Sequence, residues 1–167
     1  MRVVVADATP LHYLVLIEAI HVLPRIFERI HIPAEVRGEL IHEATPAVVR
    51  TWMQKPPEWI EVLTAPTIPA EDHALQALDS GERAAILLAE SIRADLLLID
   101  DRAGAILAQQ RGLAVTGTLG VLDLASQWGL VQLREVFVRL QKTNFRYPPS
   151  ILEMLLEEEK SRGKRTG

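Results

Sequence analysis

The chain of 167 residues has the length of one domain with a C-terminal extension, which is long enough to bury a hydrophobic core. It contains no cysteine, which excludes disulfide bonds and thiolate zinc sites and suits a reducing cytoplasm. The net charge of -4 gives no overall field that attracts nucleic acid, so any contact with a polyanion must be local. No apolar run approaches the ~20 residues of a membrane-spanning helix, and the N-terminus lacks the apolar segment of a signal peptide. We therefore expect a cytoplasmic protein without membrane contact.

The first 78 residues predict strands that alternate with helices. The β-branched run 2–6 predicts a strand that ends at Asp7. Thr9 and Pro10 are residue types preferred at the N-cap and at the first position of a helix, so we expect a helix to begin there. Further strands are predicted at 30–32 and 59–63, and further helices at 22–29, 33–44, 46–53 and 71–78.

The remaining residues continue the alternation. Asp79 and Glu82 have nearly the spacing of a capping box, which predicts a helix start between them. Four apolar residues at 96–99 predict a strand buried on both faces, and the strand ends at Asp100 and Asp101. The other predicted elements are helices at 102–111, 118–128, 131–140 and 150–160 and a strand at 113–116.

This order of elements predicts an α/β fold. Strands that alternate with helices indicate a central parallel sheet with helices on both faces, which is a three-layer α/β/α sandwich. We place this domain in residues 1–147 and a C-terminal helix with a basic tail in residues 148–167.

Acidic residues fall where the predicted strands end. Asp7 and Asp100 each follow a buried strand, and parallel strands present their carboxyl ends at one edge, where α/β proteins bind ligands. Glu82 begins the helix that precedes the Asp100 strand, so we expect it at the same edge. Glu39 lies on a helix that leaves a strand, so we expect it farther from the edge. Asp101 is next to Asp100, and two adjacent carboxylates repel each other unless a cation or solvent compensates.

Clustered carboxylates are typical ligands of a hard divalent cation such as Mg²⁺ or Mn²⁺. Such an ion polarises a phosphate and lowers the pKa of a bound water. Each acid also has a purely structural interpretation, which the sequence leaves open. Asp7 and Asp101 could cap helices, Glu82 completes a capping box, and Glu39 has the spacing of a surface helix residue.

Five motifs, in this order and spacing, resemble those of PIN-domain proteins. They lie at 4–11, 32–40, 78–86, 98–102 and 117–122, and the resemblance extends from about Val3 to Val131. The GE-x-x-AI motif at 81–86 and the IDD-R motif at 99–102 are similar to those of a bacterial toxin-like subgroup. One departure from the subgroup is Ala105, which follows Gly104 where an arginine is common.

The resemblance implies a Mg²⁺- or Mn²⁺-dependent ribonuclease, often the toxin of a toxin–antitoxin pair. RNA and an antitoxin protein are the implied partners, and a homodimer is the implied assembly. The implied catalytic residues are Asp7, Glu39, Glu82 and Asp100. The implied metal ligands are Asp7, Glu82, Asp100 and Asp101, and the implied substrate contacts are Thr9 and Thr118.

Two other functions stay open at this point. The first is a PIN-like binding module that has lost catalysis. The second is a receiver-like phosphorylation domain, which the sequence disfavours because the acid pair follows a late strand and Gly117-Thr118 contains no lysine. The histidines at 12, 21, 31, 42 and 73 lack metal-ligand spacing and are interpreted as structural or surface residues, although a functional role for His42 stays open because it lies near Glu39 in the sequence.

Overall fold

The computed structural model describes residues 2–166, with side chains as far as residue 163. Five strands within these residues are β1 (Val4–Ala6), β2 (Ile30–Pro33), β3 (Ile60–Leu63), β4 (Leu96–Leu98) and β5 (Val115–Thr116). They form one parallel sheet in the order β3-β2-β1-β4-β5. β1 is central, because Val5 pairs with His31 on one side and with Leu97 on the other.

Ten helices within the described residues surround the sheet. They are α1 (Ala8–Leu16), α2 (Val22–Phe27), α3 (Ala34–Leu40), α4 (Ala47–Gln54), α5 (His73–Gln76), α6 (Ser80–Ser91), α7 (Arg102–Gln110), α8 (Thr118–Gln127), α9 (Leu133–Gln141) and α10 (Pro149–Thr166). None of the helices between residues 2 and 166 is both long enough and apolar enough to span a membrane.

Two hydrophobic clusters show why helices cover both faces of the sheet. Successive side chains of a strand point to opposite faces. Val4 and Ala6 accordingly join one cluster, which includes buried residues of α1, α3, α8 and α9. Val5 joins the other cluster, which includes Ile86 of α6 and Ala108 of α7. The predicted α/β sandwich with a parallel sheet is confirmed.

The strand order also fixes where a ligand can approach. From β1 the chain moves outward to β2 and β3, and it then returns to the other side of β1 at β4. The crevice between the carboxyl ends of β1 and β4 is therefore the topological switch point, where open α/β sheets bind ligands.

Two predicted helix boundaries are wrong for local reasons. α1 begins at Ala8 with Asp7 as its N-cap, so Thr9 lies inside the helix and does not cap it. The helix predicted at 33–44 ends at Leu40, because side-chain hydrogen bonds replace helical ones beyond it. The Ala44 N–H donates to His42 Nδ1 (3.0 Å), and the Thr45 hydroxyl donates to the Glu39 carbonyl (2.8 Å).

Helix α10 packs against the same core as the rest of the chain. Leu152 and Leu155 are buried in the larger hydrophobic cluster. The Glu159 carboxylate accepts hydrogen bonds from the Ser126 hydroxyl of α8 and from the Leu133 N–H at the start of α9 (3.1 Å). The division predicted at residue 147 stays a prediction, and the last residue of the predicted basic tail, Gly167, lies outside the described residues.

We expect Glu159→Ala to lower the free energy of unfolding by about 1–2 kcal/mol, because two polar groups lose a charged acceptor. Urea denaturation followed by circular dichroism measures the change. The control is Glu158→Ala, which removes an exposed carboxylate from the same helix and should leave the midpoint unchanged. Equal midpoints for the two variants would contradict a role of Glu159 in anchoring α10.

Candidate active site at the carboxyl edge of the sheet

Asp7 is a buried carboxylate without a basic partner. It follows β1 directly and is only 3% exposed. Among the described residues, its Oδ1 atom has no hydrogen-bond partner. Its pKa is raised to about 8, chiefly by burial; the backbone N–H of Ala8 opposes the shift, and the nearby acids Glu39, Glu82 and Asp79 contribute to it. Because an unpaired buried charge is unfavourable, this carboxylate requires either a proton or a cation.

Glu39 reaches the same place from α3, and Gly81 provides the space. A Cβ atom on residue 81 would lie 2.7 Å from Glu39 Oε2 and 3.5 Å from Asp7 Oδ1. The expectation that Glu39 lies farther from the edge is therefore wrong. α3 packs against α6, and this contact lets the Glu39 side chain extend to the start of α6. Partial burial and the charge of Asp79 raise the pKa of Glu39.

The start of α6 contributes two further acids. Asp79 is the N-cap, and its Oδ1 accepts the Glu82 N–H at 3.0 Å, as the capping interpretation predicted. Burial raises the pKa of Glu82 to about 7, and the charges of Asp79 and Asp101 contribute to the shift. Sequence reasoning assigned Asp79 to capping alone and missed its place among the acids. The spacing of Asp79 and Glu82 could have indicated this position, because the N-cap residue lies at the same helix start as Glu82.

Asp100 follows β4 and is held by the start of α8. Its Oδ1 accepts the Thr118 N–H at 2.7 Å, and its Oδ2 accepts the Thr118 hydroxyl at 2.6 Å. Burial raises the pKa of Asp100, and these two hydrogen bonds oppose that shift. A Cβ atom on Gly117 would lie 2.5 Å from Asp100 Oδ1, so the backbone approaches the carboxylate closely. Thr118 thus orients an acid, and its substrate contact stays a prediction.

Asp101 and Thr9 lie at the margin of this group. Asp101 is exposed, and its Oδ2 accepts the Gly104 N–H at 2.8 Å, so the capping interpretation is confirmed for this residue. Thr9 lines a pocket together with Glu39. It makes no hydrogen bond to Asp7 Oδ1, which has no partner. The metal-binding role of Asp101 and the substrate contact of Thr9 stay predictions.

The structure thus brings Asp7, Glu39 and Glu82 into one group, which includes Asp79. Asp100 lies at the same edge, since the Asp7 N–H donates to the Leu98 carbonyl at 2.8 Å, but its carboxylate is directed to Thr118. As placed, no three His, Asp or Glu side chains in the described part of the chain can hold one metal ion together.

The donor set nevertheless fits a hard divalent cation. Every candidate ligand is a carboxylate oxygen, which Mg²⁺ and Mn²⁺ prefer. No described lysine or arginine forms an ion pair with Asp7, Glu39, Glu82 or Asp100. No basic side chain therefore balances these carboxylates, and Asp7 Oδ1, which accepts no hydrogen bond among the described residues, is free to coordinate a cation.

The fold and this edge define an α/β protein with an acidic site at the switch point of a parallel sheet. The model of one family, described as DUF3368: PIN domain, matches residues 3–161. The chain therefore belongs to the PIN-domain family, as its motifs indicated. PIN-domain proteins are generally nucleases that use divalent metal ions, which places the chain in a family of hydrolases. A search of curated proteins found no match.

Gly81→Ala should weaken the binding of Mn²⁺ by about 10–100-fold, because the added methyl group displaces the Glu39 carboxylate. Titration calorimetry at pH 8 measures the affinity. The matched control is Gly38→Ala, another helix glycine, at which a Cβ meets nothing within 4 Å. Both variants should fold, since alanine favours a helix over glycine. Unchanged affinity in Gly81→Ala would contradict the placement of the site.

The raised pKa values predict that the metal-free protein becomes less stable as the pH rises from about 4 to about 8. Asp7 titrates near 3.8 when unfolded and near 8 when folded. Between these values the folded state binds more protons than the unfolded state, so the free energy of unfolding falls with pH. Glu82 adds to this loss up to about pH 7.

Asp7→Asn removes the contribution of Asp7 and should raise the free energy of unfolding at pH 8 by at least about 1.4 kcal/mol, the equivalent of one pKa unit. Urea denaturation with EDTA at pH 5 and pH 8 measures how the free energy of unfolding changes with pH in the parent and in Asp7→Asn. Asp95→Asn, at the opposite end of β4, serves as the matched control. Parallel pH profiles for Asp7→Asn and the parent would show that the folded protein does not raise the pKa of Asp7.

Proposed function

We propose that the protein is a Mg²⁺- or Mn²⁺-dependent endoribonuclease. The observation that carries the proposal is the Asp7 carboxylate, which is buried, lacks a basic partner and is surrounded by other acids. Such a group is unfavourable in the protein alone and becomes favourable when a cation binds. The family supports a nuclease, since PIN-domain proteins generally are nucleases.

In this proposal Asp7, Glu82, Asp100 and Asp101 would hold the cation, and Glu39 would be a further catalytic carboxylate next to Asp7. The ion supplies Lewis-acid polarisation of the phosphate and a lowered pKa of bound water. The chain positions the carboxylates. Gly81 leaves room for two carboxylates, and Thr118 fixes the orientation of Asp100 through two hydrogen bonds. Hydrolysis then leaves a 5′-phosphate and a 3′-hydroxyl end.

The finer assignment is the toxin of a toxin–antitoxin pair. It is supported by the GE-x-x-AI motif, which forms the start of α6, and by the IDD-R motif, which joins β4 to α7. The proposed partners are RNA, an antitoxin protein and a second copy of the chain. The proposed location is the cytoplasm, because a chain without cysteine requires no oxidising compartment.

One observation favours a second candidate, a PIN-like binding module without catalysis. Among the described residues, no three potential ligands are close enough to hold an ion as they stand. A module of this kind would give no heat when Mg²⁺ or Mn²⁺ is added in calorimetry. The nuclease proposal requires that heat.

We expect Asp7→Asn and Asp100→Asn each to abolish Mn²⁺-dependent cleavage of single-stranded RNA, because each substitution removes a charged ligand and keeps the side-chain shape. Cleavage is followed on a labelled RNA by gel electrophoresis, and circular dichroism confirms the fold. Asp95→Asn should cleave like the parent, since Asp95 lies at the other end of β4. Retained Mn²⁺-dependent cleavage by a clean Asp7→Asn preparation would rule out the assignment.

A further inference from the structure

A pocket of about 360 Å³ opens beside the carboxylate group. The first turns of α1 form one wall, with Thr9 and His12 among the lining residues. The end of α3 and the turn after it form the other wall, from Glu39 to Thr45. Because Glu39 belongs both to the pocket and to the carboxylate group, a molecule in the pocket would lie next to any phosphate bound at the carboxylates.

The wall after α3 is fixed by its own hydrogen bonds. The Thr45 hydroxyl donates to the Glu39 carbonyl, and the Arg50 Nε donates to the Thr45 carbonyl at 2.9 Å. The Ala44 N–H donates to His42 Nδ1, so a neutral His42 carries its proton on Nε2. The ring of His42 is exposed and held in place at one nitrogen, and its Nε2 can bond to a ligand.

The opposite wall presents a second imidazole. His12 is half-buried, and burial lowers its pKa, which favours the neutral ring. Its ring is 4.8 Å from that of Tyr13, which restricts its position. The pocket therefore has an aromatic group on each wall and hydroxyl groups from Thr9 and Thr45.

These groups select the kind of molecule that fits. The lining contains no lysine or arginine, and the Glu39 carboxylate repels an anion, so a phosphate is disfavoured inside the pocket. Imidazole rings stack on nucleobases, and hydroxyl groups bond to base edges and ribose. The volume is at the lower end of the range for small-molecule pockets, roughly 300–1,000 Å³. An uncharged nucleoside has the matching chemistry.

We propose that this pocket binds the nucleoside adjacent to the phosphate that is cleaved at the carboxylate group, with the ring of His42 stacked on the base. The proposal rests on the proposed ribonuclease function for the identity of the natural ligand. It adds a subsite for a nucleoside and assigns its contacts to Thr9, His12 and His42.

The first experiment uses the parent protein with EDTA and adenosine, guanosine, cytidine or uridine, each free of phosphate. We expect the imidazole signals of His12 and His42 in proton–carbon NMR spectra to shift with at least one nucleoside, while those of His21 stay unchanged. His21 is exposed and lies at the start of α2, outside the pocket. Absence of shifts at both His12 and His42 up to millimolar nucleoside would overturn the proposal.

The second experiment measures binding of a fluorescein-labelled single-stranded RNA to the Asp7→Asn protein by fluorescence anisotropy. A further His42→Ala substitution should weaken binding by about 5–20-fold, which is within the range for loss of one stacked base. His42→Phe loses the same hydrogen bond to the Ala44 N–H as His42→Ala but keeps an aromatic face, so it should bind clearly more tightly than His42→Ala. His21→Ala should bind within about twofold of Asp7→Asn alone. Unchanged binding in His42→Ala overturns the subsite, and an equal loss in His42→Phe overturns the stacking role.

The two proposals fail in different ways. If the parent protein cleaves no RNA with Mg²⁺ or Mn²⁺ but nucleosides shift His12 and His42, the ribonuclease assignment is wrong and nucleoside binding by the pocket stands. If the parent cleaves RNA but neither histidine responds, the pocket proposal is wrong and the ribonuclease assignment stands.

Discussion

The burial of the Asp7 carboxylate at the end of the central strand is the constraint on which the site depends. Other partly buried acids have a basic partner, since Arg111 pairs with Asp72 at 3.0 Å and with Glu90 at 2.7 Å. At the sheet edge the protein places further acids around Asp7 and no ion-paired base. The carboxylates at this edge therefore repel one another in the folded chain, and protonation or a bound cation is needed to remove the repulsion.

The architecture explains how distant acids reach this place. Because β1 is central, its carboxyl end is bordered by those of β2 and β4, and residues that follow these strands lie at one edge. Two of the acids are additionally held by backbone amides at helix starts. Asp79 accepts an N–H of α6 and Asp100 accepts an N–H of α8. The start of a helix stabilises negative charge, so the starts of α6 and α8 reduce the unfavourable effect of repulsion between the carboxylates.

The sequence was sufficient to predict the sheet, the capped start of α6 and the acids that follow the strands. These features depend on runs of apolar residues and on local spacing, which a single sequence displays. The position of Glu39 could not be predicted, because it depends on packing between α3 and α6. The start of α1 was misplaced because Thr9 has a side chain suited to capping, whereas the residue at the N-cap position is Asp7, whose side chain makes no capping hydrogen bond.

Asp79 and His42 show a second limit of the sequence. Each has a local hydrogen bond that fully explains its residue type, a cap for Asp79 and a turn for His42. The same residues also line the acidic group and the adjacent pocket. A local explanation of a residue therefore does not exclude a place in a site, and the three-dimensional arrangement shows which residues lie together.

The single-residue connection between β1 and α1 has a consequence for how the protein can vary in length. Asp7 alone separates the last residue of the strand from the first residue of the helix. One inserted residue would turn α1 by about 100° about its axis, because a helix has 3.6 residues per turn. That rotation would carry Leu11 and Leu14 out of the core, so insertions and deletions among relatives should spare this connection and fall in the loop 64–70, where most residues are exposed.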